Sequence, residues 1–162
     1  SPTPAFIGLT GAMDLEAGGL HSLALLGDGS VRAWGWNFYG QVGDGTTTQR
    51  ATPVAVKGLT GVIALAGGSY HSVALKSDGT VWAWGWNDYG MVGDGSTTQR
   101  NAPVQVKNLT SIVAISAGSF HTLALRSDVS VWSWGLNKNG SLGQGRKELE
   151  FVALLGGQVV AL

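Results

Sequence analysis

Short stretches of alternating apolar and polar residues run along most of the chain and predict β-strands. Residues 71–76, HSVALK, alternate in this way, with the two-residue period of a half-buried strand. Asp-Gly at 78–79 then favours a hairpin turn, and the aromatic and β-branched residues within 81–86 predict a returning strand. A strand at 63–65 precedes this hairpin and an outer strand at 103–107 follows it, so each unit has four strands. No stretch of twelve residues shows a helical period, and the chain is therefore predicted to be all-β.

The same unit recurs along the chain. His21, His71 and His121 are spaced by 50 residues, and 28 of the 40 positions from 21 to 60 recur identically from 71 to 110. Four short strands repeated every fifty residues are typical of a β-propeller blade. We therefore predict a single partial propeller over 1–162, with repeats at approximately 1–50, 51–100 and 101–150. Residues 151–162 are predicted to enter a truncated fourth repeat.

Composition narrows the function classes. Only 12% of the residues are charged, the formal net charge is zero and 26 of the 162 residues are Gly. A neutral chain has no global electrostatic field to attract nucleic acid, and no apolar run is long enough for a membrane helix. Neither nucleic acid nor a membrane is therefore expected as a partner. Cys is absent, which removes disulfides and thiolate chemistry. The chain starts without Met, and a mature or excised piece is expected.

The side chains that suggest chemistry are predicted to be structural, so we expect no metal, no cofactor and no catalytic residue. Each His follows a Gly turn at a strand start, and we expect it to hydrogen-bond backbone. Asp44 and Asp94 lie in Gly-Asp-Gly loops, but a calcium loop needs several alternating carboxylates. Ser22 and Ser72 follow His directly, and adjacent strand residues point to opposite faces. The chain is therefore predicted not to be an enzyme.

Two further residue types recur in phase with the repeat. Trp82, Trp84 and Trp86 are two residues apart, so we expect one stripe of aromatic side chains in the core between blades. Arg50 and Arg100 also recur. They are interpreted as solvated loop ends, with phosphate contact as the alternative.

The repeat resembles the regulator-of-chromosome-condensation repeat family. The matching residues are Gly-x-x-His-Ser-x-Ala-Leu at 68–75, Asp-Gly-x-Val-x-x-Trp-Gly-x-Asn-x-x-Gly at 78–90 and Gly-x-Gly at 93–95. The resemblance implies a propeller, typically of seven blades. Three blades leave two apolar flanks, so we expect a piece of a longer propeller, with side-by-side assembly of copies as the alternative. A plant branch of the family senses ultraviolet light, but its Gly-Trp-Arg-His-Thr motif is absent here.

Bulky and variable residues are predicted on one face of the blades. In a four-stranded meander, the turn before each His and the loop after each Trp-Gly-x-Asn lie at the same end, which we call the loop face. A bacterial family member that inhibits β-lactamases uses comparable aromatic loop residues, which by resemblance favours this face for binding. Capping of the blades is the alternative. The candidate contact residues are Leu20, Phe38, Tyr39, Tyr70, Asp88, Tyr89, Phe120 and Lys138.

The predicted function is that of a non-catalytic scaffold that binds another protein through its loop face. A nucleotide exchange factor for a small GTPase, the activity of the family's namesake, is one alternative. A structural unit that self-associates through its open flanks is the other. The location is left open, with a secreted or cell-surface bacterial protein favoured.

Overall fold

Thirteen β-strands make up nearly all regular structure in the computed structural model, which describes residues 2–144 and the backbone of 152–155 and 158–161. β1–β4 (blade 1) and β5–β8 (blade 2) each form a four-stranded antiparallel sheet in sequence order, and β9–β13 (blade 3) form a five-stranded one. The prediction of three antiparallel β-blades is therefore confirmed. The strands are β1 Ala12–Ala17, β2 His21–Leu26, β3 Val31–Gly35, β4 Arg50–Ala55, β5 Val62–Gly67, β6 His71–Lys76, β7 Val81–Gly85, β8 Arg100–Gln105, β9 Ile112–Ala117, β10 His121–Arg126, β11 Val131–Gly135, β12 Val152–Leu155 and β13 Gln158–Ala161.

The last two strands extend the third sheet. β12 pairs with β11 through Val152 opposite Gly135, and it pairs with β13 along its whole length. The repeat also predicts an outer strand for the third blade over 146–151, and this segment lies outside the described residues. Because β13 adds to the third sheet, the entry into a fourth repeat over 151–162 stays a prediction, and so do the repeat boundaries.

The hairpin between the second and third strands of each blade is set by an Asp side chain. Asp78 Oδ1 accepts hydrogen bonds from the backbone N–H of Thr80 at 3.0 Å and from its hydroxyl at 2.6 Å. Gly79 between them has φ 78°, a left-handed conformation that glycine adopts without a Cβ clash. In blade 3 the equivalent residue is Val129, at φ 62°. A β-branched residue is unfavourable in this region.

Replacing Val129 with glycine is expected to raise the free energy of unfolding by about 1 kcal/mol, because a left-handed conformation costs an L-residue about 1–2 kcal/mol. The loss of chain entropy that glycine suffers on folding offsets part of the gain. Thermal unfolding of Val129→Gly checks this. The reverse variant Gly79→Val is the matched comparison. It should be destabilised, since a Cβ at Gly79 would meet Ser111 Cα at 3.1 Å. Equal stability of Val129→Gly and the parent chain would contradict the prediction.

Neighbouring blades are joined by two equivalent apolar cores. In the first core, Leu25 of blade 1 packs with Trp84 of blade 2. In the second, Leu75 and Val81 of blade 2 pack with Trp134 of blade 3. Each blade therefore presents one face to the blade before it and the opposite face to the blade after it, as the two-residue period of a strand requires.

The Trp residues do not form a single stripe, which corrects the prediction. Trp84 is fully buried between blades, whereas Trp86 is only partly buried and lies at the loop face. Gly85 separates them with φ 106°, which ends β7 and stops the strand alternation before Trp86. Trp82 lies beneath the Lys76 ammonium, 5.4 Å from the ring centroid. The three side chains therefore have three different environments.

Candidate functional site

Seven aromatic rings form one connected group at the loop face. Tyr39 of blade 1 lies 5.7 Å from Tyr70 and 5.4 Å from Trp86 of blade 2, between ring centroids. Tyr70 in turn stacks with Phe120 of blade 3 at 6.2 Å. Stacked and edge-to-face pairs at such separations are favourable. We call this group the aromatic cluster, and its members are Trp36, Phe38, Tyr39, Tyr70, Trp86, Tyr89 and Phe120.

Backbone hydrogen bonds bring together the two loops that supply these rings. The N–H of Trp36 donates to the carbonyl of Leu20 at 2.9 Å, and the N–H of Trp86 donates to the carbonyl of Tyr70 at 2.9 Å. The turn before each His and the loop after each Trp therefore lie side by side, as expected for a meander. The rings of the cluster extend from this shared backbone frame.

A buried Asn organises each long loop. Asn37 Oδ1 accepts the N–H of Val42 at 2.9 Å, and its Nδ2 donates to the carbonyls of Thr46 at 3.1 Å and Thr48 at 3.0 Å. Asn87 makes the same contacts fifty residues later. Both Asn side chains are fully buried. The loop that carries Phe38 and Tyr39 in blade 1 is therefore held to one conformation by its own side chain. The sequence pattern had identified this Asn as part of the repeat motif, but it had not indicated that the Asn side chain holds the loop.

The recurring Arg and Asp residues pair with each other. Arg50 Nε donates to Asp44 Oδ2 at 2.6 Å, and Arg100 Nε donates to Asp94 Oδ2 at 2.6 Å. Burial alone raises the pKa of the Asp44 carboxyl, but hydrogen bonds from Thr46 and the Arg50 guanidinium outweigh it and hold that pKa below its ordinary value. The Arg residues are therefore loop clamps and not solvated loop ends. The Asp oxygens are already occupied by protein donors.

The His residues bind the next blade, which corrects the expectation of a backbone contact. His21 Nε2 lies 2.8 Å from Ser72 Oγ, whose hydroxyl donates to the Gln41 carbonyl at 2.8 Å. A hydroxyl has one hydrogen to donate, and the Ser72 hydroxyl donates it to the Gln41 carbonyl. Toward His21 it can therefore only accept, so His21 Nε2 must be the donor. The Trp84 indole N–H donates to the same carbonyl at 2.8 Å. One loop carbonyl of blade 1 thus receives two donors from blade 2.

The same arrangement joins blades 2 and 3. His71 Nε2 lies 3.1 Å from Thr122 Oγ1, which donates to the Met91 carbonyl at 3.3 Å. Trp134 Nε1 donates to that carbonyl at 2.8 Å. His71 is fully buried, and burial, with smaller contributions from the other two His residues, lowers its pKa to about 3. These rings are therefore neutral at physiological pH.

The contact between His21 and Ser72 does not resemble that of a catalytic pair. A general base would have to accept the Ser proton, whereas here His21 donates to Ser72. No hydrogen-bond partner orients His21 Nδ1 within the described residues, and the Ser72 side chain is fully buried. The network is suited to joining blades.

Exposure of the predicted contact residues varies along the loop face. Leu20 is 55% exposed and Phe38 is 63% exposed. Asp88 and Lys138 are exposed at the repeat positions equivalent to Phe38, so this one position is apolar, acidic and basic in successive blades. Trp36 and Trp86 were missed as surface residues. The Gly before each of them was the signal that the strand had ended.

Over the part of the chain that the structure describes, no three His, Cys, Asp or Glu side chains are grouped closely enough to hold a metal ion. Over the same residues, no helix is long and apolar enough to span a membrane.

Comparison with protein families finds the same repeat between residues 14 and 141. The model described as "Regulator of chromosome condensation (RCC1) repeat" matches residues 28–75 and 78–125, together more than half of the chain. A second model with the same description matches 14–41, 62–90 and 112–141.

Curated relatives match over single repeats. The ultraviolet-B receptor UVR8 of Arabidopsis thaliana is 42% identical over 43 residues, which are 26% of this chain and 10% of the receptor. The secretion-regulating guanine nucleotide exchange factor of Mus musculus is 43% identical over 49 residues, 30% of this chain and 10% of that protein. The chain thus matches about a tenth of the length of these relatives.

Solved structures match over nearly the whole chain. Yeast RCC1 (Prp20), in a complex with Kap60, has a TM-score of 0.76 at 23% identity, with 96% of this chain and 43% of that chain covered. Human WBSCR16 has a TM-score of 0.75 at 24% identity, with 93% and 37% covered. Prp20p from Saccharomyces cerevisiae, described with its binding properties to Gsp1p and histones, has a TM-score of 0.75 at 24% identity, with 95% and 39% covered. The chain therefore spans roughly two-fifths of these structures, which share its fold.

Proposed function

The chain belongs to the regulator of chromosome condensation (RCC1) repeat family, and from this premise we propose that its blades form a non-catalytic scaffold that binds another protein through the aromatic cluster. The observation that carries the proposal is the continuity of the cluster. Its seven rings link all three blades at one face. Aromatic side chains are enriched at protein interfaces and supply much of their binding free energy.

Variation within a constant frame supports the same proposal. The Asn and Asp–Arg contacts that hold the loops are equivalent in blades 1 and 2. The position of Phe38, by contrast, becomes Asp88 in blade 2. A frame that is kept while its exposed positions change is suited to recognition. It would also present the rings with little further loss of conformational freedom on binding.

The chemistry of the cluster favours a protein over a polyanion. The rings are uncharged and the chain has no net charge, so neither supplies the excess of positive charge with which proteins track phosphates. Among structural relatives, Prp20p is described with binding to Gsp1p and histones, which are proteins.

Nucleotide exchange on a small GTPase is the weaker candidate. By the family resemblance it would need His and acidic residues at one face. Here His21 and His71 are 3% and 0% exposed beneath the neighbouring blade, where they cannot reach a partner. The match to the mouse exchange factor covers one repeat length and reflects the blade itself.

Replacing Tyr70 and Tyr89 together with alanine is expected to weaken partner binding at least tenfold, since truncating aromatic hot spots costs about 2 kcal/mol or more. Partners are first captured on the immobilised chain and identified by mass spectrometry. The dissociation constant of one purified partner is then measured for each variant.

The matched control is the double variant Ile63→Ala and Val113→Ala. Both residues are 55% exposed and lie near the starts of β5 and β9, at the ends of those strands away from the loop face. This control should bind like the parent chain. Loss of binding in the control together with retained binding in the Tyr variant would reject the aromatic cluster as the site.

A further inference from the structure

The residue that follows the buried Asn of each long loop is exposed in all three blades. We call it the variable position, and its residues are Phe38, Asp88 and Lys138. Asp88 is exposed although blade 2 packs against a blade on each side. The exposure is therefore a property of the position and does not depend on where the described chain begins or ends. Phe38 belongs to the aromatic cluster, and Asp88 directly precedes its member Tyr89.

The same turn holds the variable position in each blade. The backbone carbonyl of the preceding Asn accepts the N–H of the Gly three residues later, at 3.0 Å in blade 1, 2.8 Å in blade 2 and 3.2 Å in blade 3. The side-chain oxygen of that Asn accepts a second N–H from the residue five positions later, at 2.9 Å, 2.9 Å and 3.1 Å. The three variable residues therefore occupy equivalent points of one frame, and they differ in their side chains.

The charges of Asp88 and Lys138 have no partner within the described residues. Every other Asp of the chain accepts a hydrogen bond from a described backbone N–H, whereas none of the described donors bonds Asp88. The ion pairs among the described residues involve neither charge, so Asp88 and Lys138 also do not pair with each other. Both charges are therefore available to a molecule that binds the loop face.

The neighbouring turn carries no charge at its equivalent position. This position is occupied by Leu20, Tyr70 and Phe120 in the three blades. The loop face thus combines uncharged side chains with a variable position that is apolar in blade 1, negative in blade 2 and positive in blade 3. A purely apolar partner would bury a carboxylate and an ammonium group without compensation, which is unfavourable. A partner with opposite charges at these two points avoids that cost.

The rings of the aromatic cluster follow one another from blade 1 to blade 3. The centroid of Phe38 lies 5.2 Å from that of Tyr39, Tyr39 lies 5.7 Å from Tyr70, and Tyr70 lies 6.2 Å from Phe120. An extended polypeptide advances about 3.3 Å per residue, so a segment of several residues can follow this row of rings. The row favours a segment of chain as the occupant.

Building on the proposed function, we propose that the partner is an extended polypeptide segment that crosses the three blades at the loop face. It presents an apolar, a basic and an acidic side chain in that spatial order. The apolar side chain packs against Phe38, the basic one pairs with Asp88 and the acidic one pairs with Lys138. The variable position thereby determines which segment binds, whereas the rings supply contact area that is common to many segments.

The probe is a phage-displayed library of random linear peptides of twelve residues, selected on the immobilised full chain. An extended peptide of this length reaches about 40 Å, which exceeds the length of the row of rings. Peptides selected by the parent chain should carry an apolar, a basic and an acidic residue in that order or its reverse, at constant separations. One enriched peptide is then synthesised, and its dissociation constant is measured for the parent chain and for each variant.

Asp88→Lys is expected to weaken binding of that peptide at least about tenfold, because it places two positive charges opposite each other. Replacing the basic residue of the peptide with Glu should restore most of the affinity for Asp88→Lys and weaken binding to the parent chain. Lys138→Glu should behave in the same way with a peptide whose acidic residue is replaced by Lys. Circular dichroism verifies folding, and Asp88→Asn, with a smaller expected loss, replaces Asp88→Lys if that variant unfolds.

The double variant Ser77→Lys and Ser127→Lys is the matched control. It raises the net charge of the chain by the same amount as Asp88→Lys, but at exposed hairpin residues at the opposite ends of the strands from the loop face. It should bind the peptide like the parent chain. Equal weakening in this control would show that net charge alone matters and would overturn the proposal.

Three further outcomes would also overturn the proposal. They are a library that yields no binding peptide, charge variants that bind like the parent chain, and peptide substitutions that do not restore the affinity. Each is distinguishable from a failure of the proposed function, which is tested on a captured protein with the Tyr70 and Tyr89 variant. Peptide binding that depends on these two Tyr residues but not on Asp88 or Lys138 would retain the aromatic cluster as the site and reject the charge pattern.

Discussion

Replacing Trp84 with alanine is expected to lower the free energy of unfolding by about 3–5 kcal/mol, the range for a large buried aromatic side chain. The Trp84 ring is fully buried in the core between blades 1 and 2. Its indole N–H also donates to the Gln41 carbonyl, and this buried acceptor would lose one of its two donors. The variant therefore loses apolar burial and an inter-blade hydrogen bond together.

Trp34 provides the matched control because it occupies the same position in blade 1 but is only partly buried, since no described blade packs against it. Trp34→Ala is expected to cost clearly less than Trp84→Ala when the chain is monomeric. Urea unfolding followed by circular dichroism at low protein concentration measures both. Equal costs at the two positions would show that the inter-blade core contributes little, and that each blade is stabilised mainly within its own sheet.

Lowering the pH from about 6.5 to about 4.5 is expected to reduce the free energy of unfolding steeply. Burial lowers the pKa of His21 to about 4 and that of His71 to about 3, whereas an unfolded His titrates near 6.5. Between these values the unfolded chain binds more protons than the folded chain, so stability falls as the pH falls. Each His contributes a slope of about 1.4 kcal/mol per pH unit, and the two together contribute about 3.

The pH window separates this effect from that of the carboxylates. The pKa values of Asp44 and Asp94 are lowered, so the stability that they contribute is present above the unfolded Asp value near 4 and is lost only below it. The change in the free energy of unfolding between pH 4.5 and 7, measured by urea unfolding, therefore arises from protonation of the His residues.

The double variant His21→Gln and His71→Gln tests the assignment. A Gln side chain keeps an N–H donor for the hydroxyl of the next blade but does not titrate. Its stability should be lower than that of the parent at pH 7 and should fall much less steeply down to pH 4.5, because His121 is then the one His whose lowered pKa still contributes a slope. A parent chain with constant stability across the window, or a double variant with the parent's slope, would contradict the burial of neutral His.

Features that are local in the sequence determined the strands and the hairpin of each blade. The two-residue alternation of segments such as 71–76 defined the strands, because a strand exposes its side chains to two faces in turn. Asp78 and Gly79 defined the hairpin, since the Asp oxygen and the positive φ of glycine act within four residues. The fifty-residue spacing then predicted three successive blades, and the third of them has a fifth strand. The loop face followed from the strand order alone, and the structure places Tyr39, Tyr70 and Phe120 together on it.

The contacts between blades were decided only by the tertiary structure. Ser72 is 51 residues from His21, and nothing local to either residue indicates that their side chains meet. Trp84 and Trp86 have different surroundings because Gly85 bends the chain between them. Asp44 and Arg50 form an ion pair because the long loop folds back on itself. Spacing along a strand determines which face a side chain takes. Which atoms it meets there depends on the packing of a second sheet, and that packing arises from residues far away in the chain.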